Sequence, residues 1–385
     1  MIAEKTHCTG CGACKDICPA NCIQMSADDE GFLYPTINQD MCIRCGKCAR
    51  ICPVNNAQEK LGDTVAYAAI NNNDEIRQQS SSGGVFTALA EHVINNGGVV
   101  FGAAFNAEFQ VKHIYVETIE QLDRLRGSKY VQSEIGDCYK QAREFLEADR
   151  LVLFTGTPCQ IGGLFAFLGK TYENLYTQDI ICHGVPSPML WDKYLAFRES
   201  QAESKVRSVF FRYKKHGWKT FSVLFNYSND TEYVKPLSQD PYMQAFLKDL
   251  CLRPSCYHCV FKTVYRQADI TLADFWGVEK CNPEMDDDKG TSLVLLHSSK
   301  GVELFDSVRE SLVFEKTDLG KAISFNSAML KAVPLKPERS RFMHDVLCED
   351  FAIIEKRHLK EKLSKRLKSR LKLWLRSIKK RIDGI

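Results

Sequence analysis

The sequence predicts an α+β protein: a small cysteine-rich module, then a larger mixed α/β domain, then a basic amphipathic helix. Three observations predict it. Eight cysteines occur as two copies of CxxCxxCxxxCP, beginning at Cys8 and Cys42, and each cysteine of the second copy follows its counterpart by 34 residues. From about residue 65, short apolar runs that read as strands mix irregularly with stretches whose apolar residues recur every three or four positions. From Glu355 to the end, 13 Lys/Arg face 3 Asp/Glu around a line of leucines.

The spacing of the first module carries its chemistry. Three cysteines two residues apart wrap one iron–sulfur cube, and the fourth, held just before proline, is turned away from it; in two-cluster bacterial ferredoxins that fourth cysteine ligates the other cluster. The expectation is therefore one 4Fe-4S cluster on Cys8, Cys11, Cys14 and Cys52, and a second on Cys42, Cys45, Cys48 and Cys18. A zinc ribbon needs only two CxxC pairs, and a disulfide framework has no use for the duplication. Between the copies, IQMSADDEGFLYPTI reads as a strand, a turn at Asp28 to Gly31 and a second strand. Residues 1–57 are expected to be this two-cluster ferredoxin-like domain. Cys22 falls outside the spacing and is expected to be a buried thiol.

At 385 residues, with 44% hydrophobic residues, the chain has room for two or three cored domains. Seventeen cysteines suggest secretion in a short chain, but the opening MIAEKTHC has no leader character. The expected location is a reducing cytoplasm, in an anaerobic metabolism, and no stretch approaches the roughly 20 apolar residues of a spanning helix. The net charge of +3 conceals polarity: residues 355–385 carry +10 and the remainder −7. No nucleic-acid partner is expected.

After the polar connection NNAQEKLGDTV, VAYAAINN reads as a strand and VFTALAEHVINNGG as a helix ending at glycine. VVFGAAFNAEFQVKHIYVE reads as a strand pair, 137–148 as a helix, LVLFT as a buried strand and GTPCQIGGLFAFLG as a strand-to-helix turn. NLYTQDIIC is another buried strand, 205–230 a hairpin, DITLADFWG a strand and turn, and GTSLVLLHSSKGVELFDSV a strand then a helix. No glycine-rich dinucleotide fingerprint follows a strand and no phosphate-binding P-loop occurs, so a standard nicotinamide site is unsupported. A second group of cysteines lies in this region: Cys159 in TGTPCQ, Cys182 in DIICHGVPSP, and Cys256 with Cys259 in LRPSCYHC. Loops beyond strand ends are where α/β folds build sites. Spacing leaves a shared site, iron–sulfur or zinc, and separate buried thiols both open. Cys251 is a rival fourth ligand; Cys138, Cys281 and Cys348 are expected to pack.

Six blocks, SSSGGVFTALAEHVINNGGVVFGAAF, LRGSKYVQS, LFTGTPCQIGGL, DIICHGVPSP, LRPSCYHCVFKTVYRQADITLADFWG and GTSLVLL, occur in order over about residues 65 to 300. Together they resemble the coenzyme F-420 hydrogenase/dehydrogenase beta-subunit family. The resemblance implies that 65–345 is an FAD and iron–sulfur domain, that Cys159, Cys182, Cys256 and Cys259 hold a third 4Fe-4S cluster, and that hydride is exchanged with a deazaflavin, a nicotinamide or another organic substrate. Beside it, the residues have their own reading. SSGG at 81–84 precedes a helix whose amides can receive a phosphate, GSKY at 127–130 supplies a charge and an aromatic face, and TGTP at 155–158 turns from strand to helix. The candidate flavin contacts are Ser82, Gly83, Gly84, Ser128, Lys129, Tyr130, Thr155, Gly156, Thr157 and Pro158, with ordinary turns as the alternative reading. His183 is either a proton donor or structural, and Asp274 is expected to cap the next turn.

The function expected is an iron–sulfur flavoprotein oxidoreductase, partnered by ferredoxin or another redox protein or subunit. The alternatives are an electron carrier without flavin and a zinc-stabilised scaffold. Residues 355–385 align Leu359, Leu363, Leu367, Leu371, Leu375 and Ile378 on one helical face beside Trp374. That pattern suits a helix lying on an anionic membrane surface, at the inner membrane face, or equally one that is solvated or binds a partner.

Overall fold

The computed structural model describes residues 2–56 and 63–360, so the expected basic helix lies outside the described residues from 361 onward. Thirteen strands are described: β1 Ile23–Ala27, β2 Leu33–Ile37, β3 Val65–Asn71, β4 Val99–Phe105, β5 Val111–Val116, β6 Val152–Thr155, β7 Leu175–Ile180, β8 Val206–Tyr213, β9 Ser222–Tyr227, β10 Glu232–Pro236, β11 Ile270–Asp274, β12 Ser292–Leu296 and β13 Leu312–Thr317. β1 and β2 form the two-stranded antiparallel hairpin of the ferredoxin-type module. Its turn is where the sequence puts it: Asp28 Oδ1 accepts the amides of Glu30 and Phe32, and Gly31 takes φ +82°, which a side chain would strain.

The large sheet has eight strands in the order β13-β3-β12-β11-β7-β6-β4-β5. Its centre, β4, β6, β7 and β11, is parallel, and strands on both flanks run antiparallel. This is the irregular mixed α/β arrangement the sequence predicts. Parallel strands demand burial on both faces, and Val152, Leu153 and Phe154 of β6 are apolar and buried for that reason; β12, antiparallel to both its neighbours, is buried along its whole length. Because β6 and β7 are parallel, the loops leaving them emerge at one edge, and Cys159 and Cys182 ride on those loops.

Helix Pro158–Leu168 starts with reciprocal capping: Thr157 N donates to Gln160 Oε1 at 2.9 Å, and the Thr157 side chain receives the Gln160 amide. Such a cap contributes about 1 kcal/mol and fixes the turn that carries Cys159. A separate sheet, β10-β9-β8, packs on helix Pro188–Ala202 through Trp191, Tyr194, Phe211, Phe225 and Tyr242. Sequence reading misses that helix, and misses β10 and β13. The helix buries Leu190, Trp191 and Tyr194 together with the charged Arg198, so its apolar residues do not form the single stripe that periodicity detects.

Candidate functional site

In each repeat of the module a glycine with positive φ, Gly12 at +80° and Gly46 at +70°, turns the chain after the second cysteine into a one-turn helix carrying the third. Only glycine holds that conformation without strain. Two cavities result. One of about 320 Å³ is lined by Cys8, Cys11, Cys14 and Cys52, with Met25, Pro35 and Pro53 among its apolar walls. The other, of about 330 Å³, is lined by Cys18, Cys42, Cys45 and Cys48. Each cavity thus gathers one of the two expected ligand sets, three thiols from one repeat and one from the other. Cys22 is buried and also lines the second cavity, its Sγ 3.4 Å from that of Cys18. Burial pushes the Cys11 thiol up to about 12, with Cys8 and Cys52 adding repulsion. Buried neighbouring thiols resist ionisation, and a bound cationic centre reverses that preference, so the donor set fits an iron–sulfur cube.

The second group of cysteines also converges. Cys159 lies in the first turn of helix Pro158–Leu168, Cys182 two residues beyond β7, Cys256 in the turn Pro254–His258, and Cys259 next to that turn. Desolvation raises the Cys159 thiol well above its usual range, with Cys259, Cys182 and Cys256 each adding charge repulsion. Burial lifts Cys256 to about 12, again with Cys182 and Cys259 contributing. Cys182 is raised by burial, against the pull of Lys262 and Arg266. Lys262 Nζ donates to the Cys182 carbonyl and, at 3.2 Å, to that of His183. Arg266 pairs with the buried Asp179 at 3.4 Å, while its Nε and Nη2 are buried without a hydrogen-bond partner. Two cations and two orphaned donors beside four thiols suit a group that carries negative charge once thiolates bind it. Among the described residues no three His, Cys, Asp or Glu converge on a single-ion site, the ferredoxin cysteines included.

Cys251 stands apart. Its thiol is fully buried in the aromatic core, with Arg339 and Asp249 as its charged neighbours, and its carbonyl accepts the Ser187 amide. Cys138 is buried and donates to the His113 carbonyl at 3.3 Å; Cys281 is half-buried; Cys348 is exposed.

The module is seated on the second group. Gly163, one turn beyond Cys159 on helix Pro158–Leu168, faces Cys11: a Cβ there would lie 2.9 Å from Cys11 Cβ and 3.1 Å from its Sγ. Tyr139, buried and donating to the Gln160 carbonyl at 2.7 Å, is within electrostatic reach of both Cys11 and Cys159. Lys15 bonds Asp137 at 2.9 Å, and Gln132 Nε2 donates to Thr9 O at 2.9 Å. The Cys8 set is therefore inner and the Cys18 set outer, the latter with Cys45, Arg44 and Lys47 exposed and Ile43 65% exposed.

The loops at 81–84 and 128–130 are linked by side chains, whereas 155–158 makes its contacts elsewhere. Ser81 Oγ accepts the Ser128 amide at 2.7 Å and contacts Ser128 Oγ at 2.9 Å. Ser82 Oγ donates to Thr291 O at 2.7 Å, and the Gly83 amide is taken by Ser292 Oγ at 3.0 Å. Gly84, at φ +85°, caps helix Val85–Asn95. Lys129 folds back, donating to the carbonyls of Arg124, Leu125, Arg126 and Gly127, and desolvation pulls it down to about 7. Gly156 packs against Gln160 and His113, Pro158 opens its helix, and the Thr157 hydroxyl lies 3.1 Å from Cys159 Sγ. Thr155 O accepts from His113 Nε2 at 3.0 Å.

Sequence reasoning overlooks Arg212 and Lys214, both on or beside β8. Arg212 bonds Asp274 Oδ1 at 2.7 Å, Ser81 O at 3.2 Å and Tyr130 Oη at 3.4 Å, and its Nε is buried without a partner. Lys214 donates to the carbonyls of Arg77, Ser82 and Lys289, and burial, with repulsion from Arg77 and Arg212, pulls it down to about 7. Asp274 anchors Arg212 and the Trp218 indole rather than capping a turn. His183 Nε2 pairs with Asp249 at 2.7 Å. The one available signal was the basic run FRYKK at the end of β8.

Two known families match the chain. The 4Fe-4S dicluster domain matches residues 7–56; the coenzyme F420 hydrogenase/dehydrogenase beta subunit matches through its N-terminal part over 66–139 and its C-terminal part over 149–322. Among solved structures, a chain of the F420-reducing [NiFe] hydrogenase complex from Methanosarcina barkeri, studied by xenon derivatization, is similar at 19% identity and a TM-score of 0.47, covering 78% of this chain and 92% of that one. No curated protein matches.

Proposed function

The chain belongs to the coenzyme F420 hydrogenase/dehydrogenase beta-subunit family and carries a 4Fe-4S dicluster domain ahead of it; from that premise we propose an iron–sulfur flavoprotein oxidoreductase with three 4Fe-4S clusters and one FAD. The observation that carries this reading is the convergence of Cys159, Cys182, Cys256 and Cys259, with Cys159 on the helix whose Gly163 meets the inner ferredoxin residue Cys11. A bound flavin supplies two-electron hydride chemistry, which one-electron clusters then convert to current. The chain's own part is placement and electrostatics. Arg212 and Lys214 bring positive charge to the loops at 81–84 and 128–130, and the free Nε of Arg212 is the donor assigned to the dinucleotide. Lys262 and Arg266 offset the charge of the four thiolates. Arg44, Lys47 and Ile43 surround the outer thiols with a basic, partly apolar face suited to an acidic redox protein.

Oxygen-free purification with counts of iron, sulfide, zinc and flavin tests the proposal. About twelve irons and one FAD per chain support it; about eight irons with no flavin would instead leave a ferredoxin-type carrier. Steady-state assays of the flavin-loaded protein against a deazaflavin, nicotinamides and reduced ferredoxin identify the hydride partner. Of the expected basic helix, Leu359 is buried in the aromatic core and Arg357 and His358 pair with Asp345, so these residues do not face lipid; the remainder, from residue 361, is assigned to an anionic membrane surface. No helix among the described residues is long and apolar enough to cross a membrane.

A further inference from the structure

Arg253 is fully buried, three residues before Cys256, at the boundary between the ferredoxin module and the main domain. Its Nε donates to Cys8 O at 2.7 Å, Nη1 to Gln132 Oε1 at 2.8 Å and Nη2 to Leu33 O at 2.9 Å, with Nη2 also 3.9 Å from Cys8 Sγ. The guanidinium stands 4.2 Å from the centre of the Tyr34 ring. The loop between Cys8 and Cys11 is shaped to it, since a Cβ on Gly10 would fall 2.8 Å from Nη1.

These oxygen acceptors satisfy its N–H groups, but all are neutral. A fully buried cation is costly unless an anion compensates it. The anion can come from the ligand thiols on either side: Cys8 of the inner set lies 3.9 Å from Nη2, and Cys256 of the second group is tied to the same residue, its amide donating to the Arg253 carbonyl at 2.9 Å. A ligand thiolate accepting an N–H bond from a cation stabilises the more negative, reduced state of its centre, and so raises the potential.

Resting on the three-cluster reading above, we propose that Arg253 is the positioning residue between the inner ferredoxin cluster and the third cluster. Its fork fixes their separation, and its charge raises the reduction potential of the cluster on Cys8, Cys11, Cys14 and Cys52. The outer cluster, on Cys18, Cys42, Cys45 and Cys48, shares no contact with it.

The test compares the parent protein with Arg253→Gln and Arg253→Lys by iron content and EPR-monitored redox titration, the inner cluster being identified by its loss in Cys14→Ser. Arg253→Gln is expected to keep about twelve irons and to shift the inner one-electron equilibrium at least tenfold toward the oxidised state. That is about 59 mV to more negative potential, with the outer cluster unmoved. Arg253→Lys, which keeps the charge, is expected to restore most of the shift. Twelve irons with an unmoved inner potential overturns the role of Arg253 alone, whereas eight irons in the parent overturns the three-cluster reading as well. Should Arg253→Gln shed iron, the parent labelled with 15N-arginine decides: a 15N coupling to the reduced inner cluster supports the contact, and its absence overturns the proposal.

Discussion

Cys251 and Cys256 are five residues apart, yet the fold sends one into an aromatic core and the other among three more thiols. Their replacements should therefore separate. Cys256→Ser is expected to lower iron by about four per chain without disturbing the ferredoxin clusters. Cys251→Ala should leave the iron count alone and cost about 1 kcal/mol of stability. His113 supplies a second residue-scale expectation. Burial holds its imidazole neutral, down to about 4, with Nε2 donating to Thr155 O and Nδ1 accepting from Ser133. Its unfolded value is near 6.5, so between pH 6.5 and 4 the unfolded chain takes up a proton that the folded one refuses. Stability should fall through that window as pH drops, by on the order of 3 kcal/mol. Urea midpoints measured across the window should show a flatter slope in His113→Gln than in the parent.

At the scale of elements, what sequence could and could not show divides on sequence separation. Hairpin β1–β2, the strand pair β4–β5 and the turn from LVLFT into its helix were legible because turn residues, alternation and caps act within a few positions. Helix Pro188–Ala202 was not, because it is held by Phe211, Phe225 and Tyr242 from distant elements. The candidate site divides likewise. Spacing groups the ferredoxin thiols, whereas Cys159 meets Cys182 through the parallel pairing of β6 and β7, and Cys256 joins them through the bridge of Pro186 to Leu252, neither of which spacing reveals. Gly163 shows the same limit. In sequence it is a weak helix residue; in the fold it is where helix Pro158–Leu168 meets Cys11. Gly163→Val is expected to force the module off its seat, costing about 2 kcal/mol or more. Its readout is a lower thermal midpoint together with loss of magnetic interaction between the inner and third clusters.

At the scale of the whole molecule the charge is divided, with +10 on residues 355–385 and −7 on the rest. Flotation with vesicles containing about one-third anionic lipid should recover the full chain and not a chain ending at Phe351. Equal recovery rejects the membrane assignment. The module at the other end is held on several sides. The Glu30 carboxylate forks with Arg339 and its carbonyl accepts from Ser187 Oγ, the hairpin and the Cys8 loop grip Arg253, and Lys15 reaches Asp137. The electron-carrying unit is thus a fixed terminal rather than a swinging arm. Because these contacts hold the module, a chain cut at a protease site placed between residues 56 and 63 should yield two pieces that still elute together on a sizing column.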